Sequence, residues 1–167
     1  SSAVSPGTNV APTGEDIRAD QQLYTRGHRL RPSDLGLLRS VGRETVPAVA
    51  RPQVAVIPTG EEVVDADPGP GEVIETNGLT VSRLVERWGA SASYRDVVTD
   101  DPDILAATLR AEIEHDLIVT TGGSSVGSRD LLPEVVDEMG TVTVHGVALK
   151  PGHPVAVGVI DATPVVM

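Results

Sequence analysis

Apolar residues in the stretch 53–167 recur in two alternating patterns, short continuous runs and helical spacing. The runs at 53–57 and 117–119 are bounded by turn residues, which indicates buried strands. Helical spacing follows the first run, where the apolar residues at i, i+3, i+4 and i+7 are Val81, Leu84, Val85 and Trp88. Strands that alternate with helices of this length predict an α/β fold, a mostly parallel sheet with helices on both faces.

Capping residues indicate the limits of three helices in this stretch. Asn77 is the predicted cap of the first helix, and Gly89 ends it. Asp101, followed by proline, begins the second helix, and the third spans 130–139. Further strands are predicted at 93–98, 141–144, 155–160 and from 165 onward.

Residues 1–52 lack this alternation and are rich in turn-forming residues. Loops around short strands are predicted at 6–17, and one short helix follows, capped by Ser33 or Asp34 and ended by Gly42. The segment is small and irregular, so it is not expected to fold alone.

The change of texture places a domain boundary between residues 52 and 53. The stretch 53–167 is predicted to be an α/β domain, and its last apolar run stops at Met167 without a capping turn. We therefore expect the 167 residues to be a piece of a longer protein, with this domain incomplete at its C-terminal end.

Charge and composition restrict the class of protein. The chain has 24 acidic and 13 basic residues, a net charge of −11 at pH 7, 2% aromatic residues and no cysteine. This composition argues against nucleic-acid binding, disulfides and thiolate metal sites. Acidity with a single lysine, Lys150, is typical of a halophilic source, and an ordinary acidic surface is the alternative. No apolar run reaches membrane-spanning length and no signal sequence is recognised, so a cytoplasmic protein is expected.

A patch almost without side chains follows the buried strand at 117–119. Its residues are Thr121, Gly122, Gly123, Ser124 and Ser125. Glycines allow a ligand to approach the backbone closely, and successive N–H groups ahead of a helix bind anions. Phosphate is the anion that fits such a patch, and a tight strand-to-helix turn that needs glycine is the alternative.

Acidic residues stand where the predicted strands end. Glu62 and Asp100 follow two of the strands, and Asp130 follows the Gly-Ser patch. Because ligands of parallel sheets bind beyond the carboxyl ends of the strands, these residues are expected to meet at one crevice. A carboxylate beside a phosphate site suits Mg²⁺ bound through water. The alternative is structural, since acidic residues also favour helix N-termini.

The turn 150–154 brings two potentially cationic side chains together. Lys150 and His153 flank a Pro-Gly pair, and this arrangement suits a small oxyanion. A strand followed by a turn with incidental charges is the alternative.

Taken in order, these segments resemble the molybdopterin molybdenumtransferase family, which includes MoeA-like proteins and the gephyrin E domain. The motifs that carry the resemblance are PGTNVAPTGEDI, LRPSDLGLLRSVG, TGEE, ETN, DD, TTGGSSVGSRD and ALKPGHP. The resemblance covers nearly the whole chain. It implies that 53–167 form a molybdopterin-binding α/β domain, that 1–52 are the tail of a β-rich preceding domain with its linker, and that the protein is a homodimer.

The activity implied by the resemblance is insertion of molybdate into adenylylated molybdopterin, with Mg²⁺-assisted release of AMP. By position, the catalytic residues would be Glu62, Asp100 and Asp130, with Glu62 and Asp130 also at the metal. The pterin phosphate would be bound by Thr121, Gly122, Gly123, Ser124 and Ser125. Molybdate would be bound by Lys150, Gly152, His153 and Pro154.

Two substitutions depart from the family pattern. Ser124 stands where valine is usual, and His153 replaces a second lysine, so oxyanion affinity is expected to depend on pH. The sequence also stops before the GLPGNP loop, so the 167 residues alone are expected to be inactive. A MogA-like molybdopterin adenylyltransferase is the first alternative, although such proteins lack a counterpart of 1–52. The second is a scaffold or sensor that binds molybdopterin without catalysis.

Overall fold

The computed structural model describes residues 3, 5–122, 131–148, 150 and 154–167. Two compact units divide the chain, residues 1–48 and residues 49–167. No helix in the described part of the chain is long and apolar enough to span a membrane. The regular elements, in chain order, are α1 Pro32–Ser40, β1 Gln53–Pro58, β2 Val63–Val64, β3 Val73–Ile74, α2 Asn77–Trp88, β4 Ser91–Tyr94, α3 Pro102–Ala111, β5 Leu117–Thr121, α4 Leu131–Met139, β6 Thr141–His145, β7 Ala156–Ile160 and β8 Thr163–Val166.

Six strands of the larger unit form one sheet in the order β4-β1-β5-β8-β7-β6. The first four in this order are parallel, since β1 pairs with β4 and β5, and β5 pairs with β8. β7 runs antiparallel to both β8 and β6, and a bulge interrupts its pairing with β6 between Val142 and Val144. The predicted mostly parallel α/β sheet is confirmed, with an antiparallel addition on one side.

Helices cover both faces of the sheet, as the alternate residues of β1 show. Ala55 and Ile57 join a buried cluster with residues of α3 and α4. Val54 and Val56 face the opposite way and pack with Val85 of α2. Because β1 is buried on both faces, this strand lies at the centre of the core. Burial of its apolar side chains stabilises the fold by about 25 cal/mol per Å² of apolar surface.

The ends of α2 and α3 agree with the predicted residues, with one correction. α2 ends at Gly89, whose φ is +101°, and the Asp101 side chain caps α3 by accepting from two backbone N–H groups at 2.9 and 3.0 Å. Asn77 is not the cap of α2. Thr76 is the N-cap and makes no side-chain cap bond, because the carboxylate of Glu75 already binds N–H groups at this helix start.

Two other expectations for this unit are wrong. The strand predicted at 93–98 lies earlier, as β4, because it pairs with the first part of β1, and Val98 forms only an isolated bridge to Thr59. Trp88 is predicted on the buried face of α2, but it is 73% exposed. It is the last residue of the helix and follows Val85, the last buried residue of α2. The strands β2 and β3 have no counterpart among the predicted elements, since pairs of two residues carry no periodic signal.

In the unit 1–48, α1 is the single helix of the described residues, and no strand is formed among them. The short strands predicted at 6–17 are therefore wrong for these residues. Positive φ angles at Gly7, Asn9 and Gly14 turn the chain repeatedly and prevent an extended run. The assignment of 1–52 to the tail of a β-rich domain stays a prediction.

Local contacts begin and end α1. Arg31, rather than Ser33 or Asp34, is the N-cap, and Asp34 lies three residues further on, where its carboxylate accepts from the N–H of Arg31 at 2.9 Å. Gly42 ends the helix as predicted. Its N–H and that of the next residue donate to carbonyls of the last turn at 3.0 and 2.9 Å, the Schellman arrangement.

Candidate functional site

The tips of β1 and β5 meet the segment that follows β4 at one edge of the sheet. Thr59, directly after β1, lies between the tip of β5 and the segment that follows β4. Its N–H donates to the carbonyl of Thr121 at 2.7 Å, and it forms a parallel bridge with Val98. The N–H of Gly60 donates to the carbonyl of Val98 at 3.1 Å. The residues that follow these tips leave the sheet at the same edge, and they include Glu62, Asp100 and Gly122.

Gly122 packs directly on the backbone of Thr59. Its φ is +107°, and a Cβ atom at this position would overlap the carbonyl oxygen of Thr59. Glycine alone combines this conformation with so close an approach. The turn itself therefore requires Gly122, whether or not a ligand binds.

Three threonine hydroxyls at these tips are buried without a hydrogen-bond partner in the part of the chain that the structure describes. They are the Oγ1 atoms of Thr59, Thr120 and Thr121. Thr59 and Thr120 are 0% and 5% exposed, and they continue the alternation of Ile57 and Ile118 toward the face covered by α3 and α4. A buried hydroxyl without a partner costs about 1–3 kcal/mol, so such groups are rare in native proteins. A polar ligand seated at the tips would supply the missing partners.

Glu62 lies in the turn that follows Gly60. The N–H of Val63 closes this turn by donating to the carbonyl of Gly60 at 3.3 Å. The carboxylate lies back over Gly60, since a Cβ atom there would be 3.1 Å from Oε2 of Glu62. The carbonyl of Glu62 accepts from the N–H of Val73 at 2.8 Å. The backbone of Glu62 is thus held from both sides, and its side chain is half-buried.

Asp100 lies in the tight link between Val98 and α3. The N–H of Asp101 donates to the carbonyl of Thr99 at 2.8 Å, and the Asp101 side chain caps α3. Its neighbour Asp100 is half-buried at the edge where the strand tips meet.

The strand that follows Lys150 in the chain, β7, begins at the same edge. Ala156, at the start of β7, exchanges hydrogen bonds of 2.9 and 2.8 Å with Met167, directly after β8. Since β8 is parallel to β5 and β7 lies beside β8, β7 begins two strand spacings, about 10 Å, from the tip of β5. Lys150 and Pro154 are exposed.

The predicted site residues divide into two groups. The structure places Glu62, Asp100, Thr121 and Gly122 at the strand tips, and it describes Lys150 and Pro154 as exposed residues ahead of β7. The others lie outside the described residues, and their roles stay predictions: Gly123, Ser124, Ser125, Asp130, Gly152 and His153.

Glu75 is a buried carboxylate near this edge that the hydrophobic pattern does not reveal. It is 9% exposed and accepts hydrogen bonds from the N–H groups of Gly78 and Leu79, at 2.6 and 3.2 Å, and from the hydroxyl of Tyr94. Gly78 lies against the ring of Pro58, because a Cβ atom there would be 2.8 Å from Cγ of Pro58. An acidic residue just before a helix start is the sequence signal that could have identified Glu75.

Hydrogen bonding determines the protonation states of Glu75 and Tyr94. Burial favours the neutral form of Glu75, but the hydrogen bonds from Tyr94 and from backbone N–H groups outweigh it, so the pKa of Glu75 is lowered. The bond to Glu75, together with burial, raises the pKa of Tyr94 to about 12. At pH 7 Glu75 is therefore an anion and Tyr94 a neutral phenol.

The donor set at the tips suits Mg²⁺ rather than zinc. Glu62 and Asp100 offer carboxylate oxygens, the ligands that Mg²⁺ prefers. Within the described ranges, no three side chains of His, Cys, Asp or Glu form a group that could hold a metal ion. Mg²⁺ takes one or two carboxylates together with waters and substrate phosphates, so this set fits Mg²⁺ when a phosphorylated ligand is present.

Two family models match the chain. The model described as "Probable molybdopterin binding domain" matches residues 55–167 and includes the tips of β1 and β5. The model described as "MoeA N-terminal region (domain I and II)" matches residues 1–42 and includes α1.

Known relatives match almost the entire chain. A molybdopterin molybdenumtransferase of Bacillus subtilis is 36% identical over 87% of this chain and 35% of its own length. The one of Haemophilus influenzae is 31% identical over 93% of this chain and 39% of its own length. A solved structure of a molybdopterin biosynthesis MoeA protein from Pyrococcus horikoshii has a TM-score of 0.81 and 34% identity over 92% of this chain and 39% of that chain. This chain thus spans less than half the length of these relatives.

Proposed function

The chain belongs to the family of molybdopterin-binding domains, and from this premise we propose that the whole protein inserts molybdate into adenylylated molybdopterin. This reaction is a step of molybdenum cofactor biosynthesis. The relatives named molybdopterin molybdenumtransferase support the activity. The match of 1–42 to the MoeA N-terminal region supports it further, because a protein of the adenylyltransferase type is not expected to have that region.

The buried hydroxyls at the strand tips are the observation that carries the proposal. Thr59 and Thr120 have no partner in the described part of the chain, and Gly122 brings the backbone close beside them. The pterin phosphate would accept hydrogen bonds from these hydroxyls and from the N–H groups of the Gly-Ser patch. Thr121 would contribute its hydroxyl from the other face of the sheet. Such donors select an anion and hold it in one orientation.

The acidic residues of the site would act on the adenylyl group. Glu62 and Asp130 would hold Mg²⁺ directly or through water, and Asp100 would be the third catalytic acid. When bound by these residues, the ion would supply positive charge that neutralises the phosphate of the leaving AMP. Glu62 is suited to this task because the backbone on both sides of it is fixed by hydrogen bonds.

The turn 150–154 would hold the oxyanion. Lys150 supplies an ammonium group and Pro154 shapes the turn, together with Gly152 and His153. Support comes from topology, since β7, the strand that follows this segment in the chain, begins at the edge where the tips of β1 and β5 lie. Lys150 would then bring molybdate to the pterin rather than bind the same phosphate.

AMP release tests the proposal. The whole protein should release AMP from adenylylated molybdopterin only when molybdate and Mg²⁺ are present. The Glu62→Gln variant should release it about 100-fold more slowly, because transition-state charge is less well neutralised. Glu72→Gln is the matched control, since Glu72 is exposed and binds only the N–H of Gly69 among the contacts described. Equal rates for both variants would remove Glu62 from the site.

The same assay separates the two alternatives. ATP-dependent formation of adenylylated molybdopterin by the whole protein would show the adenylyltransferase. Binding of molybdopterin without AMP release would show the scaffold or sensor. Asp130→Asn should abolish AMP release with the fold intact, and unchanged release would exclude Asp130.

Several properties of the whole protein are part of the proposal. Residues 53–167 would be the molybdopterin-binding domain and 1–52 the tail of a preceding β-rich domain with its linker. The protein would act in the cytoplasm as a homodimer, as the family resemblance implies. A net charge of −11 with one lysine supports adaptation to high salt.

A further inference from the structure

A two-stranded ribbon joins Glu62 to the buried carboxylate of Glu75. β2 begins directly after Glu62, and β3 ends directly before Glu75. The N–H of Val73 donates to the carbonyl of Glu62, and the N–H of Glu75 donates to the carbonyl of Val64, both at 2.8 Å. Each acid is therefore tied to one end of the ribbon.

Glu75 also forms hydrogen bonds to α2 and β4, the two elements beside the tip of β1. Its carboxylate accepts from the N–H groups of Gly78 and Leu79 in the first turn of α2, and from the hydroxyl of Tyr94 at the end of β4. In the described residues β2 and β3 pair with each other and not with the six-stranded sheet. No strand ladder therefore attaches the ribbon to the domain, and at one of its ends lies the buried Glu75.

We propose that Glu75 is a positioning residue for Glu62: by fastening the ribbon to α2 and β4, it holds the Glu62 carboxylate at the strand tips. The inference rests on the proposed function, in which Glu62 binds Mg²⁺. Glu75 itself does not contact the substrate, because protein donors occupy its oxygens. Loss of its charge weakens three hydrogen bonds at once and releases the ribbon, since each bond to a carboxylate is charge-assisted.

Tyrosine ionisation tests the contact between Glu75 and Tyr94. The chain has two tyrosines, so Tyr94 is the single tyrosine of a Tyr24→Phe variant. In that background its pKa, followed by ultraviolet absorbance, should be about 12 with Glu75 present and should fall toward the ordinary value in Glu75→Gln, where burial still raises it. A pKa close to 10 in both would show that the contact does not exist and would overturn the proposal.

Hydrogen exchange at the amide of Val73 tests the ribbon, because this N–H binds the carbonyl of Glu62. We expect exchange to be about tenfold faster in Glu75→Gln, with unchanged exchange at Ile118 in the sheet. Glu72→Gln is the control, since it removes a charge just before β3 without touching Glu75. Unchanged exchange at Val73 would overturn the proposal. If Glu75→Gln fails to fold, Tyr94→Phe removes one of the three bonds, and the same criterion applies to it.

Metal affinity distinguishes positioning from a purely structural role. Binding of Mn²⁺ alone, measured by electron paramagnetic resonance, should be about tenfold weaker in Glu75→Gln and unchanged in Glu72→Gln. Equal affinity, despite faster exchange at Val73, would show that Glu75 supports only the fold and would overturn the inference. If the unaltered protein binds no Mn²⁺, the proposed metal site fails, whereas the hold of Glu75 on the ribbon is decided by the exchange data.

Discussion

Buried carboxylates stand at a helix start in both units of the chain, and they are stabilised in different ways. Asp34, 4% exposed, binds the ring of His28 at 2.8 Å and both the N–H and the guanidinium of Arg31. The contacts of Glu75 in the described residues are with neutral donors, two backbone N–H groups and the hydroxyl of Tyr94. The partners of Asp34 come from a few residues away in the sequence, whereas the donors of Glu75 require α2 and β4 to be assembled.

The same difference runs through the two units as a whole. Residues 1–48 contain six arginines and five acidic residues, whereas residues 49–167 contain seven basic and nineteen acidic residues. Local charged contacts hold the start of α1, and the strand tips of the larger unit are held by backbone contacts between distant residues, such as Thr59 and Thr121. Close backbone packing should therefore be sensitive to added volume, and the helix start in 1–48 should be sensitive to charge.

The largest effect is expected from added volume at the strand tips. Gly122→Ala should lower the free energy of unfolding by about 3 kcal/mol, because its Cβ overlaps the carbonyl oxygen of Thr59 and its φ is +107°. Gly71→Ala is the control, since Gly71 has a φ of +90° but open space around it, and should cost about 1 kcal/mol. Urea denaturation measures both variants, and equal losses would show that close packing is not the cause.

Removal of a buried hydroxyl without a described partner is expected to raise the free energy of unfolding, in contrast to the loss expected from added volume. Thr59→Val should raise the free energy of unfolding of the ligand-free protein by about 1 kcal/mol, because it removes a buried polar group without a described partner. Thr163→Val should lower it by about 1 kcal/mol, because the Thr163 hydroxyl donates to the carbonyl of Ile113 at 2.5 Å. Thermal unfolding compares the two, and a loss of stability in Thr59→Val would show that its hydroxyl is satisfied.

The smallest effect, confined to the start of α1, is expected from pH. The N–H of Arg31 and the ring of His28 lower the pKa of Asp34 well below its usual range. The pKa of Asp34 is lower in the folded chain than in the unfolded chain, where it is near 3.9, so the ionised carboxylate stabilises the helix start at pH values above about 4. This contribution is lost progressively as the pH falls below about 4 and Asp34 takes up a proton. The protection of the α1 amides, meaning the ratio of their intrinsic to their observed exchange rate at each pH, should fall in this range, and Asp34→Asn should remove this pH dependence. A pH dependence that persists in Asp34→Asn would assign it to another group.

Local chemical signals made part of the fold predictable. Gly89 and Asp101 mark helix limits by conformational freedom and by capping, properties that do not depend on the rest of the chain. The alternation of strands and helices indicates the parallel sheet. The rule that ligands bind at the carboxyl ends of parallel strands then indicates that the segments of Glu62, Asp100 and Gly122 lie at one edge.

Features that depend on distant partners could not be predicted. The burial of Glu75 depends on Tyr94, which only the pairing of β1 with β4 brings within reach. The orphaned hydroxyl of Thr59 is defined by what surrounds it in three dimensions. Arg31 is the N-cap of α1 because proline occupies the first helical position and Asp34 reaches back to the Arg31 N–H, a cooperation that a single-residue preference does not contain.

The bulge in β6 has a consequence for the behaviour of concentrated solutions. β6 is one outer strand of the sheet, and the irregular pairing between Val142 and Val144 disturbs the even spacing of its backbone groups. A bulged outer strand twists away from a second molecule that would otherwise extend the sheet. The opposite outer strand, β4, is only four residues long and offers few groups to such a neighbour. Both borders of the sheet thus discourage fibril growth.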